Sequence, residues 1–239
     1  QARGGVNVLR DLLTHGLLSS PERPAGGDAA TIPPLPAEDE AFDREAQNRL
    51  KQEAFLRAGT RCFNQKGFSG TSLDEIAEQL QVSKGAFYYH FANKEALLTQ
   101  CFDYTLDQLE QVVARIEQLE APPAAKLEAA CRHIFVLQNS DHGPLVHFNA
   151  ITALPPEVRQ RLLGRLASVH ATLENYVALG AEARQFRDVP PWIVIQLLTG
   201  ALNAAMDLDA WQPIDDINHS AGEYFSVFFS GLASPTRLQ

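Results

Sequence analysis

Residues 71–91 read TSLDEIAEQLQVSKGAFYYHF, and this stretch decides the fold. Its first half places apolar side chains at helical spacing, at Leu73, Ile76, Ala77 and Leu80. Thr71 or Ser72 is expected to cap this first helix, each with a capping-box partner three residues on, at Asp74 or Glu75. Ser83 is expected to cap a second helix after a tight turn at Gln81–Val82, and Asn93 to cap the long helix that follows. Two capped helices joined by so short a turn predict a helix-turn-helix.

The second helix of this motif has an unusual composition. It carries five consecutive aromatic-type side chains, Phe87, Tyr88, Tyr89, His90 and Phe91. So short a helix cannot bury five rings around its circumference. Because Phe87 and Phe91 lie one turn apart, we expect both to face the core and the other three to point away from it. Outward hydroxyls and an imidazole can donate to phosphate oxygens, and a tyrosine ring can contact a thymine methyl.

The segment from about Phe55 to Thr105 resembles the TetR family of transcriptional regulators. The ordered landmarks are the aromatic turn at 63–68, Thr-Ser-x-x-x-Ile-Ala at 71–77, Val-Ser-x-Gly-x-Phe-Tyr-x-His-Phe at 82–91 and Asn-Lys-Glu-x-Leu at 93–97. So many landmarks in one block make the resemblance specific, although it covers closely only about a quarter of the chain. It implies a DNA-binding domain followed by a helical ligand-binding domain.

The resemblance also implies which residues contact DNA. Those expected at base edges in the major groove, or beside them, are Ser83, Lys84, Gly85 and Tyr89. Those expected at the phosphate backbone are Thr71, Ser72, Tyr88, His90 and Lys94. The residues alone also allow a plainer interpretation, in which the tyrosines are partly buried and His90 is structural.

Charge is unevenly distributed along the chain. The 239 residues carry a formal net charge of −9. Residues 42–100 hold eight Lys/Arg and seven Asp/Glu, a balance of +1, whereas the rest holds twelve and twenty-two, a balance of −10. The acidity therefore lies outside the candidate DNA-binding segment, and we expect a small, well-aimed DNA surface instead of bulk attraction.

The whole chain is predicted to be all-α, because no convincing alternation of period two occurs. An N-terminal extension, 1–41, should contain a short helix with the Leu9–Leu17 stripe and a Pro/Gly-rich linker at 19–37. A three-helix, helix-turn-helix DNA-binding domain should follow at 42–93, and a helical ligand-binding and dimerisation domain at 94–239. Helical patterns in that last domain cover 94–118, 123–139, 144–153, 156–181, 190–207 and 217–232.

The last two helical patterns, 190–207 and 217–232, suggest a subunit interface. The first contains small residues such as Gly200 and Ala204, and the second is rich in phenylalanine, more than a monomer usually needs. The resemblance implies a homodimer in which these two helices of each subunit pack together. The alternative is that both helices belong to an ordinary core.

The helices between are expected to enclose a mostly apolar pocket for a small hydrophobic or amphipathic molecule. The candidate ligand-binding residues are Phe102, Leu106, Phe135, Asn139, His147, Phe148, Ile151, His170, Leu173, Tyr176 and Trp192. Four arginines are candidates to bind an anionic head group, with a place on solvated helix faces as the alternative: Arg132, Arg159, Arg161 and Arg165.

Other classes of function find little support in the sequence. There is no nucleophile elbow, phosphate loop, HExxH or paired-carboxylate motif, so we expect neither an enzyme nor a cofactor. No two histidines stand four residues apart, and no CxxC occurs, so no metal site is predicted and the three cysteines should be buried thiols. Without a long apolar run or a signal-peptide pattern, we expect a cytoplasmic protein that has no membrane partner.

Together these patterns predict a ligand-responsive transcriptional regulator. We expect a homodimer that binds palindromic double-stranded operator DNA and, as a repressor, is released from it by a small hydrophobic or amphipathic molecule. The alternative is a helical DNA-binding or protein-interaction regulator without a small-molecule ligand.

Overall fold

The computed structural model describes residues 2–19, 44–206 and 216–230, which are mainly helical. The helices are α1 (Ala2–His15), α2 (Arg44–Gly70), α3 (Leu73–Gln79), α4 (Lys84–His90), α5 (Lys94–Glu117), α6 (Pro123–Gln138), α7 (Pro156–Glu182), α8 (Pro191–Ala204) and α9 (Ile217–Ser230). Within these ranges the only β pairing is an isolated bridge between Leu18 and Phe186. The predicted all-α class is therefore confirmed.

Most predicted helices begin and end within a few residues of the observed ones. The exception is 144–153, where the structure has a short 3₁₀ helix, Phe148–Ala153, in place of a full α-helix. Gly67 interrupts α2 with a φ of 69°, in the left-handed region that favours glycine. The predicted linker at 19–37, apart from Ser19, and the end of the last pattern at 231–232 lie outside the described residues.

The chain forms two compact units that interleave along the sequence. We call the described residues within 33–109 and 140–167 the motif unit, and those within 1–32, 110–139 and 168–239 the companion unit. Helices α5 and α7 each begin in one unit and end in the other by chain numbering. The proposed boundaries at 41 and 93 stay a prediction, since compactness does not test which segments fold independently.

The motif unit is held by one apolar cluster. Its largest fully buried members are Ile76, Phe87, Phe91, Leu97, Leu98, Phe102 and Leu106. They come from α3, from α4 and its C-cap residue Phe91, and from α5, and α2 adds Phe55 and Phe63. Burial of a large apolar side chain stabilises a fold by about 1.5–3 kcal/mol, so this cluster fixes how the short helices α3 and α4 lie on α2 and α5.

The companion unit has its own ring-rich core. Helix α6 packs against α8 and α9, and the Phe135 ring lies 5.4 Å from that of Tyr224 and 6.1 Å from that of Phe225. Phe225 and Phe229 are both buried in this unit. Part of the apolar face predicted for subunit contact on α9 is therefore internal core, because those two rings pack inward.

The N-terminal segment docks on its own chain. Helix α1 packs against α8 and α9, and Leu12, Leu17 and Leu18 are buried. The backbone N–H of Leu17 donates to the Phe228 and Phe229 carbonyls at 3.0 Å. An isolated helix of this length is marginal in water, so its contacts with α8 and α9 of the same subunit stabilise it.

A salt bridge and backbone hydrogen bonds complete this attachment. The Arg187 guanidinium pairs with the Asp11 carboxylate and donates to the Gly16 carbonyl at 3.0 Å. The Arg187 backbone N–H donates to the Leu17 carbonyl at 3.0 Å. The pKa of Asp11 is held below its ordinary value, first by the hydrogen bond from Arg187.

None of the helices in the described ranges combines the length and the low polarity that a bilayer crossing requires. Cys62, Cys101 and Cys131 are all buried free thiols, as predicted. Burial raises the pKa of the Cys101 thiol to about 12, so this group stays protonated at neutral pH.

We expect the substitution Gly180→Ala to destabilise the fold by about 1–3 kcal/mol. A Cβ atom at Gly180, on α7, would overlap the ring of Phe186, which is fully buried and therefore has little room to move. Urea unfolding monitored by circular dichroism measures the change. The matched control is Gly164→Ala on the same helix, where no atom lies within 4 Å of the added Cβ. That control should be neutral or stabilising by up to about 1 kcal/mol, and equal losses in both variants would contradict the packing argument.

Candidate nucleic-acid interface

Two rings fix the rotation of α4 about its axis. Phe87 and Phe91 are fully buried, and their ring centroids lie 5.3 Å apart. Both also contact Phe55 of α2, at 5.2 Å and 6.2 Å. The prediction that these two rings face the core is confirmed, so the side chains between them must point elsewhere.

The rings of Tyr88 and Tyr89 form an outward face on α4, whereas His90, also predicted to point away from the core, packs its ring against Phe55. The Tyr89 side chain is 86% exposed and Tyr88 is 46% exposed. His90 is half-buried, and its ring lies 5.3 Å from that of Phe55 and 5.4 Å from that of Tyr89. Large aromatic side chains that are exposed together lower solubility and often mark a binding surface. This face of α4 is therefore the candidate interface.

Caps set where the helices of the motif begin. The Ser83 hydroxyl accepts from the Ala86 N–H at 3.2 Å, and the Asn93 side chain accepts from the Ala96 N–H at 2.8 Å, so both predicted caps are confirmed. The start of α3 differs. Ser72 holds the N-cap position, but its side chain makes no capping hydrogen bond.

Thr71 is committed to the interior of the motif unit. It is buried, and its hydroxyl donates to the Gly67 carbonyl at 2.8 Å. The predicted capping boxes at Thr71–Asp74 and Ser72–Glu75 are therefore not formed, because the hydroxyl of the first turns inward and Ser72 makes no capping bond.

The turn of the motif uses a left-handed residue that is not glycine. Gln81 has a φ of 55°, and the Val82 N–H donates back to the Ala77 carbonyl at 3.0 Å. A side chain in this conformation costs about 1–2 kcal/mol, which the packing of Leu80 and Val82 against the cluster must offset. The turn thus holds α3 and α4 in one relative orientation.

A carboxylate on α3 holds two of the predicted DNA-contact groups. One Asp74 oxygen pairs with the Lys84 ammonium at 2.6 Å, and the other accepts from the Tyr88 hydroxyl at 3.4 Å. The hydrogen bond that the Lys84 ammonium donates to Asp74 raises the pKa of Lys84. Sequence reasoning gave Asp74 only a capping role and missed this pairing. The signal was a carboxylate and an ammonium on the two helices of one motif.

Lys94 is also engaged within the motif unit. Its ammonium donates to the Thr71 carbonyl at 3.0 Å and lies 4.6 Å above the centre of the Phe68 ring. It therefore ties the start of α5 to the start of α3. Its predicted phosphate contact would have to be made from this anchored position.

The structure brings most of the predicted DNA-contact residues to one region of the motif unit. Those on α4 or its cap are Ser83, Lys84, Gly85, Tyr88, Tyr89 and His90. Gly85 is exposed, with no atom within 4 Å of an added Cβ, so the backbone there is open to close approach. Ser72 and Lys94 lie at the starts of α3 and α5, and only the side chain of Thr71 is withdrawn.

The candidate ligand-binding residues fall into two groups, one in each unit. In the motif unit, Phe102, Leu106 and Ile151 are buried, and the rings of Phe102 and Phe148 lie 5.1 Å apart. The half-buried His147 has its backbone N–H bonded to the Asn64 side chain at 2.9 Å.

In the companion unit the remaining candidates are Phe135, Asn139, His170, Leu173, Tyr176 and Trp192. Asn139 donates to the Phe135 carbonyl at 2.9 Å, and Leu173 and Tyr176 are buried. Burial raises the pKa of Tyr176 to about 12, and burial also lowers the pKa of His170. Trp192 is 59% exposed, so it is set apart from the buried candidates.

Two arginines considered for an anionic head group have carboxylate partners. Arg161 pairs with Asp103 at 2.6 Å, and Arg165 pairs with Asp103 at 3.0 Å and Asp107 at 2.6 Å. Arg132 donates to the Asn218 carbonyl at 3.2 Å. The charges of Arg161 and Arg165 are therefore compensated within the fold, which the spacing of the arginines alone did not reveal. Among the described residues no group of His, Cys, Asp or Glu is arranged to hold a metal ion.

Comparisons with known proteins agree with this geometry. Residues 55–101 match the family described as bacterial regulatory proteins, tetR family. The chain is 30% identical over 188 residues to the HTH-type transcriptional repressor DhaR of Mycobacterium sp. (strain GP1), covering 77% of this chain and 93% of DhaR. It is 40% identical over 68 residues to the uncharacterized HTH-type transcriptional regulator YerO of Bacillus subtilis (strain 168), covering 28% of this chain but only 24% of YerO.

A solved structure extends the likeness beyond the motif. The structure of AibR in complex with isovaleryl coenzyme A and operator DNA matches with a TM-score of 0.60 and 25% sequence identity. The match covers 76% of this chain and 99% of AibR. The repressor DhaR is 30% identical to this chain and is matched over 93% of its own length, and the motif matches the family model. The chain therefore belongs to the TetR family of bacterial regulatory proteins.

Proposed function

We propose that this protein is a homodimeric transcriptional repressor that binds palindromic operator DNA and leaves it when a small amphipathic molecule binds. The observation that carries the proposal is the outward face of α4, where Tyr89 is 86% exposed on a helix anchored by two buried rings. Its standing as a repressor is supported by the likeness to DhaR.

Helix α4 is the element that would enter the major groove. Lys84, Gly85 and Tyr89 lie on it, and the lack of a side chain at Gly85 leaves room for a base pair. Selection of bound duplexes from a random library tests this proposal. A palindrome with half-sites about one helical turn apart, or a multiple of it, is expected. Failure to enrich any sequence would contradict operator binding.

We expect Tyr89→Ala to lose most of the discrimination between the selected duplex and a random one. The difference in binding free energy between the two duplexes should fall by about 1–3 kcal/mol. The reason is that Tyr89 is exposed at the centre of the proposed reading face and contributes little to the core. Fluorescence anisotropy with both duplexes measures the ratio of affinities. Tyr89→Phe is the matched control, because it keeps the ring and removes only the hydroxyl. Unchanged discrimination in the alanine variant would show that α4 is placed wrongly.

The second element of the proposal is a dimer through α8 and α9. Outward residues Trp192, Gln196 and Gly200 recur every four positions on α8 and form one exposed stripe. Added atoms at Gly200 would meet nothing within 4 Å in the subunit, so a second helix has room to approach closely there. Two recognition helices held at a fixed spacing are what a palindrome requires.

We expect Gly200→Arg to dissociate the dimer and to weaken binding to the selected palindrome by at least tenfold, since one subunit holds only half of the site. The subunit itself should stay folded, because the new side chain starts in open space. Sedimentation at micromolar concentration gives the oligomeric state. Gly164→Arg, also in open space but on α7, should remain dimeric. A Gly200→Arg protein that stays dimeric would contradict this interface.

The third element is a ligand, and the buried rings beside α5 support it. Helix α5 begins at Lys94, directly after α4, and carries Phe102 and Leu106 farther along. A ligand that displaces Phe102 from Phe148 would shift α5 and so the helix that precedes it. Because AibR is described with isovaleryl coenzyme A, we propose an acyl thioester of coenzyme A as the ligand class.

Hydrogen bonds from α2 and α5 to the segment 145–147 could transmit this movement inside the motif unit. The Asn64 side chain of α2 donates to the Leu145 carbonyl at 3.0 Å and accepts from the His147 N–H at 2.9 Å. The Thr105 hydroxyl of α5 accepts from the Val146 N–H at 3.0 Å. A movement of α5 would therefore displace α2 as well. The recognition helix α4 packs against α2 through Phe55, so it would move with it.

We expect isovaleryl coenzyme A to lower the affinity of the protein for operator DNA by about 5–150-fold. Operator DNA should lower the affinity of the protein for isovaleryl coenzyme A by the same factor. Titration calorimetry with and without the selected duplex measures both, and free coenzyme A is the control for head-group binding alone. Equal ligand affinities in the two conditions would mean that the molecule is not sensed. Absence of any ligand effect would favour the alternative, a regulator without a small-molecule ligand.

We also propose that the protein is not an enzyme and acts in the cytoplasm. Its relatives are described as regulators, and the bacterial chromosome that carries an operator lies in that compartment.

A further inference from the structure

The motif unit has no cation without an internal partner among the basic residues of 55–101. Arg57 lies 3.5 Å from Glu53, Lys66 lies 2.8 Å from Glu75, and Lys84 lies 2.6 Å from Asp74. Arg61 donates to the Gly143 carbonyl at 3.5 Å, and Lys94 donates to the Thr71 carbonyl at 3.0 Å. For a DNA-binding motif this is unexpected, because such motifs normally offer free cations to phosphates.

Asp74 stands out among these partners because it holds two DNA-contact groups at once. Its two oxygens bond separately to the Lys84 ammonium and the Tyr88 hydroxyl, both on α4. A carboxylate that accepts from a lysine and a tyrosine offers these donors what an acceptor on DNA, a phosphate oxygen or a base edge, would offer. The carboxylate and the DNA therefore compete for the same two groups.

The pair is easily exchanged. The Lys84 side chain is 68% exposed and the Asp74 side chain is 45% exposed. Exposed ion pairs are weak because water and salt screen them, so a well-placed DNA acceptor can replace the carboxylate. A randomly placed phosphate gains little from the exchange, since it swaps one charged partner for another.

We propose that Asp74 is a specificity-determining residue that keeps Lys84 and Tyr88 off random-sequence DNA and releases them only on a matching operator. This inference rests on the proposed DNA-binding function. In the complex with random-sequence DNA, Lys84 stays paired with Asp74 and neutralises no phosphate. In the operator complex the base contacts of α4 bring Lys84 close enough to DNA for the exchange.

The salt dependence of binding distinguishes the two states, because each phosphate neutralised changes the slope of log K against log salt by about 0.9. Asp74→Asn removes the charge and keeps the shape. With random duplex we expect its affinity to rise roughly three- to tenfold at low salt and its slope to steepen by about 0.9. With the selected operator the slope should stay as in the wild type, since Lys84 contacts DNA in both proteins.

Two further variants make the experiment decisive. Glu95→Gln removes the same charge, also from the first turn of a helix, but Glu95 is exposed and pairs with no lysine among the described residues. It should leave both slopes unchanged. Combining Lys84→Met with Asp74→Asn should cancel the steepening on the random duplex, since no ammonium is then left at that position to neutralise a phosphate. Urea unfolding confirms that each variant is folded.

An unchanged random-duplex slope in Asp74→Asn would overturn the proposal. Equal steepening on both duplexes, or the same effect in Glu95→Gln, would overturn it too, since both indicate general electrostatics. Weaker binding of Asp74→Asn to both duplexes would assign Asp74 a purely structural role. Failure of the wild-type protein to distinguish any duplex would instead refute the proposed DNA-binding function, so the two failures are separable.

Discussion

The burial of Phe87 and Phe91 against Phe55 is the constraint on which the rest of the candidate interface depends. Helix α4 has only seven residues and could not hold a fixed orientation by its own backbone hydrogen bonds. Two fully buried rings one turn apart fix its rotation. Once they face inward, geometry leaves Tyr88 and Tyr89 on the opposite side, so the core and the interface have a single cause.

Charge has a second, separate influence on this surface. The motif region is nearly neutral overall, and the structure shows why the neutrality is local: carboxylates of α3 lie against ammonium groups of α2 and α4. Asp74 and Glu75 also stand in the first turn of α3, where the helix dipole favours negative charge. The same residues thus stabilise a short helix and lower the attraction of the motif for any polyanion.

The sequence was sufficient for features that depend on neighbouring residues. The all-helical class, the caps at Ser83 and Asn93, and the inward Phe87 and Phe91 follow from spacing within one or two turns. Periodicity also placed most helix ends, because proline and glycine mark them locally. The TetR resemblance supplied the functional class from the same stretch, which the family match later covered.

Features that depend on contacts between distant segments could not be predicted in this way. The pairing of Lys84 with Asp74, the inward turn of the Thr71 hydroxyl and the compensation of Arg165 by Asp107 each require the relative placement of two elements. Trp192 was grouped with buried ligand residues because it is apolar, yet α8 presents it outward. Hydrophobicity predicts that a residue is buried somewhere, but not which neighbour covers it.

The central claim is that the exposed face of α4 meets DNA. Photo-crosslinking from single positions tests it most directly, with a benzophenone side chain placed at Tyr89 or, as a comparison, at Leu179, which is 41% exposed on α7. The account predicts that the selected duplex crosslinks efficiently to position 89, that excess unlabelled duplex abolishes the product, and that position 179 gives none. A protein that binds the duplex tightly but crosslinks from 179 and not from 89 would contradict it.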